Sequence, residues 1–306
     1  MKILFFGLGQ PTDYILIKLL ENRFDLCGLV VDKSNNFEVQ NLKEIAQTNK
    51  VPIYEIDSTK DQSFIERVKN EIQPDVILVA AFDMLLPKAL YSTAKITAIN
   101  MHSSYLPYYR GANPFFWAIA NGEEFTGVTV HFLNERFDEG DIIAQAKVEI
   151  KDDDTMGTVF FRQKENAWGI LQPILDQIAK TGQPPKGKKQ PKGEFPKSPR
   201  TNKDDLYIKW TWPTKKILDR IRSLNPFSPA YAYFRDELVG IYQAESIAAV
   251  GDGPPGTVIA LKDQGPVVKT ANGALLIKVV MVGWRYVESG ADFIARERVG
   301  LNEVFE

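Results

Sequence analysis

One cysteine, Cys27, and two histidines are all that 306 residues offer of the side chains most used for disulfides and metal centres. A lone cysteine excludes an internal disulfide and a cysteine metal cluster, which suits a reducing cytosol. His102 and His131 form no His-x-x-x-His set, so no metal site is expected. No apolar run approaches the roughly 18 residues of a membrane span. The opening MKILFFGLGQ turns polar too early for a secretory leader and reads as a first strand, so a cytoplasmic location is expected. Excess charge is missing too: 37 basic against 39 acidic side chains leave a net charge of −2, without a global bias toward nucleic acid or anionic lipid. With 44% hydrophobic and 25% charged residues the chain is globular rather than disordered or collagenous. Its length exceeds what one core usually organises, so two domains are expected.

What is present alternates. Short β-branched runs predict strands over residues 3–6, 26–31, 75–80 and 96–100, and between them apolar residues recurring at three or four predict helices over 13–20, 39–48 and 63–72. Strand-like 127–132 and 142–150 follow, then a long helix over 155–180. This is the pattern of an α/β domain with a Rossmann-like, mostly parallel sheet. Residues 181–200 break the periodicity with five prolines, three glycines and six basic residues against one acid, Glu194, which reads as a linker. Beyond it come a helix over 214–223 and strand-like runs over 231–233, 238–247, 256–261, 267–270 and 275–282, separated by turn signals such as GDGPPG and ANG. They predict a smaller C-terminal β-barrel or sandwich. The expected division is 1–182, a basic linker over 183–202, and 203–306.

Both histidines fall in one segment, INMHSSYLPYYRGANPFFWAIANGEEFTGVTVHFLNERFDEGDIIAQ. Asn100 and His102 sit two apart at the carboxyl end of a predicted strand, so they can face the same way, into the crevice where open α/β sheets bind ligands. An amide and an imidazole side by side can hydrogen-bond a carbonyl oxygen as it becomes an oxyanion. Asp138, in the FDEGD loop, can orient the imidazole, stabilise its protonated form or relay a proton. No side-chain nucleophile accompanies them, which points to direct attack by an amine or water on a bound carbonyl. The same residues also suit purely structural duty: an Asn-x-His pair at a strand end, and Asp138 and Asp141 around Gly140 in an ordinary turn. His131, mid-strand between Val130 and Phe132, reads as a packed, hydrogen-bonded histidine, and Phe115–Phe116–Trp117 as the buried face of a helix. GLGQPT begins like a dinucleotide fingerprint but has Thr12 where the third glycine belongs, so NAD binding is not expected; Gly7 and Gly9 read as a tight turn into the first helix.

Asn100–Met101–His102, the turn Ser104–Tyr105–Leu106–Pro107, Arg110–Gly111, Gly127–Val128–Thr129 and Asp138–Glu139–Gly140 occur in that order. In this the chain resembles the formyltransferases that use 10-formyltetrahydrofolate, with Tyr105 replacing a commoner leucine. The likeness is weaker from Met1 to the linker and through IKWTWPTKKILDRIRSLNPFSPAY. The resemblance implies the formyltransferase fold with an OB-like C-terminal domain. It implies that Asn100 and His102 polarise the formyl oxygen and hold the tetrahedral intermediate, while Asp138 keeps His102 charged and assists proton transfer. It places the pterin between the loop holding Asp138 and Asp141 and the AAFDMLLP loop, where Met84, Leu85 and Leu86 contribute main-chain groups and apolar walls. Gly9, Arg110 and Gly111 are the expected substrate contacts.

The acceptor divides the family. Residues 201–306 hold thirteen basic and thirteen acidic side chains, without the excess of a committed tRNA surface. Members acting on methionyl-tRNA usually carry a basic insertion after the second strand; here VVDKSNNFEVQNLKEIAQ passes from strand to helix without one. The expected acceptor is therefore a small-molecule amine, that of a nucleotide-linked amino sugar, with methionyl-tRNA as the alternative. The basic linker serves either as a solvated tether or as a phosphate contact. A hydrolase using water and a non-catalytic folate-binding protein remain further classes; Asn100, which the family's hydrolase domain lacks, argues for transfer.

Overall fold

The computed structural model describes residues 1–9, 12–248 and 251–306, so Gln10 and Pro11 of the GLGQPT turn lie outside the described residues. The chain forms two compact units: Met1–Pro114, Thr126–Glu149 and Phe161–Ser198 make the first, and Phe115–Phe125, Ile150–Phe160 and Pro199–Glu306 the second. Among the described residues no helix is long and apolar enough to cross a membrane.

The chain opens with β1 (Lys2–Gly7), α1 (Thr12–Glu21), β2 (Asp25–Asp32), α2 (Phe37–Thr48), β3 (Ile53–Ile56) and α3 (Gln62–Arg67, running into a π-type turn over Val68–Ile72). It continues with β4 (Val76–Ala80), α4 (Lys88–Tyr91), β5 (Thr97–His102), β6 (Arg110–Gly111), α5 (Pro114–Ala120), β7 (Phe125–Phe132), β8 (Ile142–Glu149), α6 (Met156–Thr181) and β9 (Lys197–Ser198). Seven strands form one sheet in the order β3-β2-β1-β4-β5-β7-β8. Strands β1 to β5 pair in parallel, and β7 runs antiparallel to β5. The expected mostly parallel sheet is thus present, with β3 as a fifth early strand that periodicity did not predict. Its IYEI is four residues long with Glu55 exposed, too short and too polar to stand out.

Alternation along the strands creates two cores. Ile3 and Phe5 of β1, Val76 and Leu78 of β4, Ile99 and Met101 of β5, and Val128 and Val130 of β7 face one side. There they meet α1, α2 and the Ala167, Trp168, Leu171, Ile174, Leu175 and Ile178 stripe of α6, spaced at three and four. Leu4 and Phe6, with Ile77 and Val79, face the other side against Phe64, Ile65, Val68, Phe82, Leu86 and Leu90. Each such fully buried side chain contributes roughly 1.5–3 kcal/mol over exposure. Caps fix the helix starts: Asn36 accepts from the Val39 N–H and Asp61 from the Ser63 N–H.

The second unit is built on α7 (Thr214–Leu224), β10 (Ala230–Phe234), β11 (Glu237–Ile247), β12 (Val258–Lys262), β13 (Gly265–Lys269), β14 (Ala274–Val282), β15 (Tyr286–Ser289) and α8 (Gly290–Glu297). Its antiparallel sheet runs β10-β11-β14-β13-β12, with β15 added to β14. The last residues close it: Phe305 bridges to Phe234 of β10, while Val304 bridges to Thr257 beside β12. A smaller β domain was expected; α8 and β15 were not, because GADFIARE starts on a glycine and β15 is only four residues long.

Candidate active site

The parity that sends Ile99 and Met101 into one core sends Asn100 and His102 to the opposite face of β5. On the neighbouring antiparallel strand the same parity applies, so register pairs Asn100 with His131 and His102 with Thr129. Sequence spacing put Asn100 and His102 together; only the β5–β7 register reveals that His131 joins them. Asp138 arrives from the loop between β7 and β8. Its backbone sits at φ 56°, in the left-handed region, which costs a non-glycine residue on the order of 1 kcal/mol.

The four side chains interlock. Asp138 Oδ1 accepts from Asn100 Nδ2 at 3.3 Å and lies 3.5 Å from His102 Nδ1 and 3.7 Å from His131 Nε2. Its Oδ2 accepts the Gly111 N–H at 3.0 Å. Burial alone would raise the carboxyl pKa, but the charge of His102 beside it, with the hydrogen bond from the Gly111 N–H, holds it at about 2. Asp138, 8% exposed, is an ionised carboxylate at neutral pH.

Ring partners assign the protons. His102 Nε2 lies 2.9 Å from the Tyr109 carbonyl oxygen, which only accepts, so this nitrogen carries hydrogen. Its Nδ1 faces the Asp138 carboxylate, and a doubly protonated ring satisfies both neighbours. His131 donates from Nδ1 to the Phe132 carbonyl at 2.8 Å, which leaves the Nε2 lone pair to accept from Asn100 Nδ2 at 3.1 Å. Asn100 therefore directs one amide hydrogen to His131 and the other to Asp138. Before its amide can donate to a substrate oxygen, one of these two bonds must be exchanged.

The surrounding turn is tied down. Thr129 Oγ1 donates to the Ser104 carbonyl and accepts from the Leu106 N–H, and Gln145 Nε2 donates to the Leu106 carbonyl. Ser104, fully buried, donates its hydroxyl to the Tyr108 carbonyl, so it is no free nucleophile. Gly111 stands at φ 120° with the Ser198 carbonyl where a Cβ would be. Only glycine lets β6 and β9 approach while the Gly111 N–H reaches Asp138.

The remaining expected residues are spread around this cluster. Arg110 directs its guanidinium to Gln190 and, at 3.6 Å, to Glu139. Gly9 accepts at its carbonyl from the Thr12 N–H, starting α1, and a Cβ on it would meet Glu38. Burial raises the Glu38 carboxyl, and Asp13 adds to the rise. Leu86 is turned into the core at 3% exposure, whereas Met84 and Leu85 are half-buried, with Thr59 donating its hydroxyl to the Leu85 carbonyl. Asp141 accepts at its main chain from the Phe132 N–H. Between α4 and the loop 134–139 lies an open cavity of about 370 Å³ lined by Lys88, Tyr91, Asn134, Glu135, Arg136 and Glu139. Sequence reading passed over Gln190, which lies inside the basic linker. Its Nε2 donates to the Asp138 carbonyl at 2.7 Å and to the Gly140 carbonyl at 2.9 Å. No periodicity or motif marks it.

A buried carboxylate beside two imidazoles and an amide, at the carboxyl end of β5, is an arrangement able to polarise a carbonyl and move protons, in an α/β fold. The chain belongs to the formyl transferase family: the family model described as Formyl transferase matches residues 1–173, and that described as Formyl transferase, C-terminal domain, matches 200–298. A methionyl-tRNA formyltransferase of Clostridioides difficile is 30% identical over 288 residues, covering 92% of each chain. Among solved structures, HypX from Aquifex aeolicus in complex with tetrahydrofolic acid superposes with a TM-score of 0.67 at 18% identity. The match covers 99% of this chain but about half of that one, 48%. An N-formyltransferase from Helicobacter canadensis, in complex with folinic acid and dTDP-3-aminofucose, gives 0.68 at 17% identity, covering 90% of this chain and 98% of that one.

Proposed function

We propose that this protein moves a formyl group from 10-formyltetrahydrofolate to a primary amine, and that the amine belongs to a nucleotide-linked amino sugar. The observation that carries formyl transfer is the interlocked set of Asn100, His102 and Asp138 within the family's motif order. Asn100 turns one amide hydrogen from His131 or Asp138 to the formyl oxygen, where negative charge develops as the amine attacks. His102 supplies positive charge beside it, and Asp138 holds that imidazole and takes the amine's proton, which passes to the folate nitrogen as its bond to the formyl carbon breaks and tetrahydrofolate leaves. The folate supplies the formyl carbon in a form already activated for transfer. The residues present suit a pterin: Met84 and Leu85 offer half-buried apolar walls, Leu86 only main chain, and the cavity lined by Lys88 and Arg136 lies between α4 and the loop 134–139. Folate ligands in the HypX and Helicobacter canadensis structures support the same co-substrate.

The sugar reading rests on the junction between β2 and α2. Four residues, 33–36, join Asp32 to Phe37, leaving no room for a basic insertion against an acceptor stem. The aminofucose nucleotide named with the Helicobacter canadensis enzyme is the matching chemistry. Methionyl-tRNA is the second reading, favoured by a curated relative that spans both halves of the chain. The test offers 10-formyltetrahydrofolate with a panel of amino-sugar nucleotides and, in parallel, charged initiator methionyl-tRNA. Formylation of a sugar amine is expected. Formylation of the tRNA alone would replace the sugar reading, formate release without acceptor would make the protein a hydrolase, and no turnover would leave a binding protein.

A further inference from the structure

We propose that Gln190, in the proline- and glycine-containing stretch that follows α6 within the first unit, is a positioning residue for formyl transfer, holding the Asp138 loop and Arg110 together through one side-chain amide. Its Nε2 donates to the carbonyls of Asp138 and Gly140, the two ends of the Asp-x-Gly turn, at 2.7 and 2.9 Å. Its Oε1 accepts from Arg110 Nε at 3.1 Å and Nη2 at 2.6 Å. All three hydrogen-bonding groups of the amide are thus used, and they fix its orientation: a flipped amide would face two carbonyls with an oxygen and a guanidinium with a hydrogen-bond donor.

The contact falls where it matters. Asp138 adopts φ 56°, which a non-glycine residue avoids unless its surroundings impose it, and Gln190 caps the carbonyl of that residue. Arg110 precedes Gly111, whose N–H donates to the Asp138 carboxylate. One amide therefore bears on both the backbone of Asp138 and the residue beside its carboxylate partner. The segment itself is anchored on either side of Gln190 independently. Lys188 and Ile142 exchange backbone hydrogen bonds, Pro196 accepts from the Tyr109 N–H, and β9 pairs with β6. Losing the Gln190 side chain leaves those anchors in place, so its effect falls on the loop rather than on the fold.

The inference rests on Asp138 acting in the reaction, and the experiment separates the two. Gln190→Ala, Gln190→Glu and Asp138→Asn are compared with wild type for kcat and KM with 10-formyltetrahydrofolate and the acceptor found by the parallel panel. Deuterium uptake of the 134–141 peptide and the melting temperature are measured alongside. Gln190→Ala should lower kcat by roughly 10- to 100-fold, the scale of a small misplacement of a catalytic group, with KM nearly constant. Uptake should rise in 134–141 at an unchanged melting temperature. Gln190→Glu keeps an acceptor for Arg110 but removes the donors to the loop, so it should be as impaired as alanine. Full activity in Gln190→Glu, or unchanged uptake in both variants, overturns the positioning role. If Asp138→Asn is inactive while Gln190→Ala matches wild type, only this inference fails; full activity in Asp138→Asn sinks both.

Discussion

Asp138 carries two consequences that one residue can test. Because its folded pKa is held at about 2, below its ordinary value of 3.8, ionisation of this carboxyl stabilises the native state. That contribution is complete above about pH 4 and is lost as pH falls toward about 2. Urea midpoints measured from pH 6 downward should therefore drop more steeply for wild type than for Asp138→Asn, which has no proton to take up; parallel curves would remove the depressed carboxyl from the account. In turnover, His102→Ala and Asp138→Ala should each cut kcat by at least ~10²-fold with the fold intact, as proton-handling groups usually do. Asn100→Ala should lower kcat more than it raises KM if its amide serves the developing oxyanion. At this scale the sequence was informative where chemistry follows from local spacing. Asn100 and His102 share a strand face by period two, and their nearness to Asp138 accords with the motif order. His131 was legible as a buried hydrogen-bonding histidine, which it is at 1% exposure, but not as the partner of Asn100, since strand register is a long-range property. Gln190 was invisible, because a side chain bonding to backbone carbonyls some fifty residues away leaves no pattern in the chain.

Elements place these residues through close backbone contacts, and two glycines mark where no side chain fits. At Gly140 a Cβ would fall within the Phe132 carbonyl oxygen, and at Gly111 it would meet the Ser198 carbonyl. Gly140→Ala must push the Asp138 loop off β7, and Gly111→Ala must part β6 from β9 and withdraw the N–H that Asp138 accepts. Each should cost roughly 1–3 kcal/mol, the usual scale of overpacking. The variants should lose formyl transfer well beyond what that stability loss predicts, as read by kcat alongside urea unfolding. A stability loss with kcat unchanged would mean the cluster tolerates loop movement. The elements around these glycines were largely readable, since β1, β2, β4, β5 and α6 carry long apolar periodicities. The two-residue strands β6 and β9 were not, because such short pairings come from tertiary contact rather than propensity. Residues 181–200 read as a linker on composition, yet Lys188, Gln190 and Ser198 lie hydrogen-bonded on the first unit, since proline and glycine report conformation and not where a segment docks.

For the molecule as a whole, the second unit matters first as a folded body. Its closure depends on the final residues, NEVFE, to which the sequence assigned no element. Phe305 is 1% exposed, with ring centroids 4.7 Å from Phe234, 5.7 Å from Trp210 and 6.1 Å from Phe293. Around it Tyr233 and Glu306 exchange backbone hydrogen bonds, and the Phe305 N–H donates to Gly256, so one short segment stitches the two ends of the sheet. Phe305→Ala should leave a cavity at that seam and cost about 3–5 kcal/mol. Trp117, Trp210, Trp212 and Trp284 all lie in the second unit and only Trp168 in the first, so tryptophan fluorescence reports mainly on the unit concerned. Its thermal midpoint should fall by several degrees, while the circular dichroism of the helix-rich first unit keeps a transition near the wild-type temperature. If the fluorescence midpoint does not move, the seam is held by backbone pairing alone. If both signals fall together, the two units unfold as one.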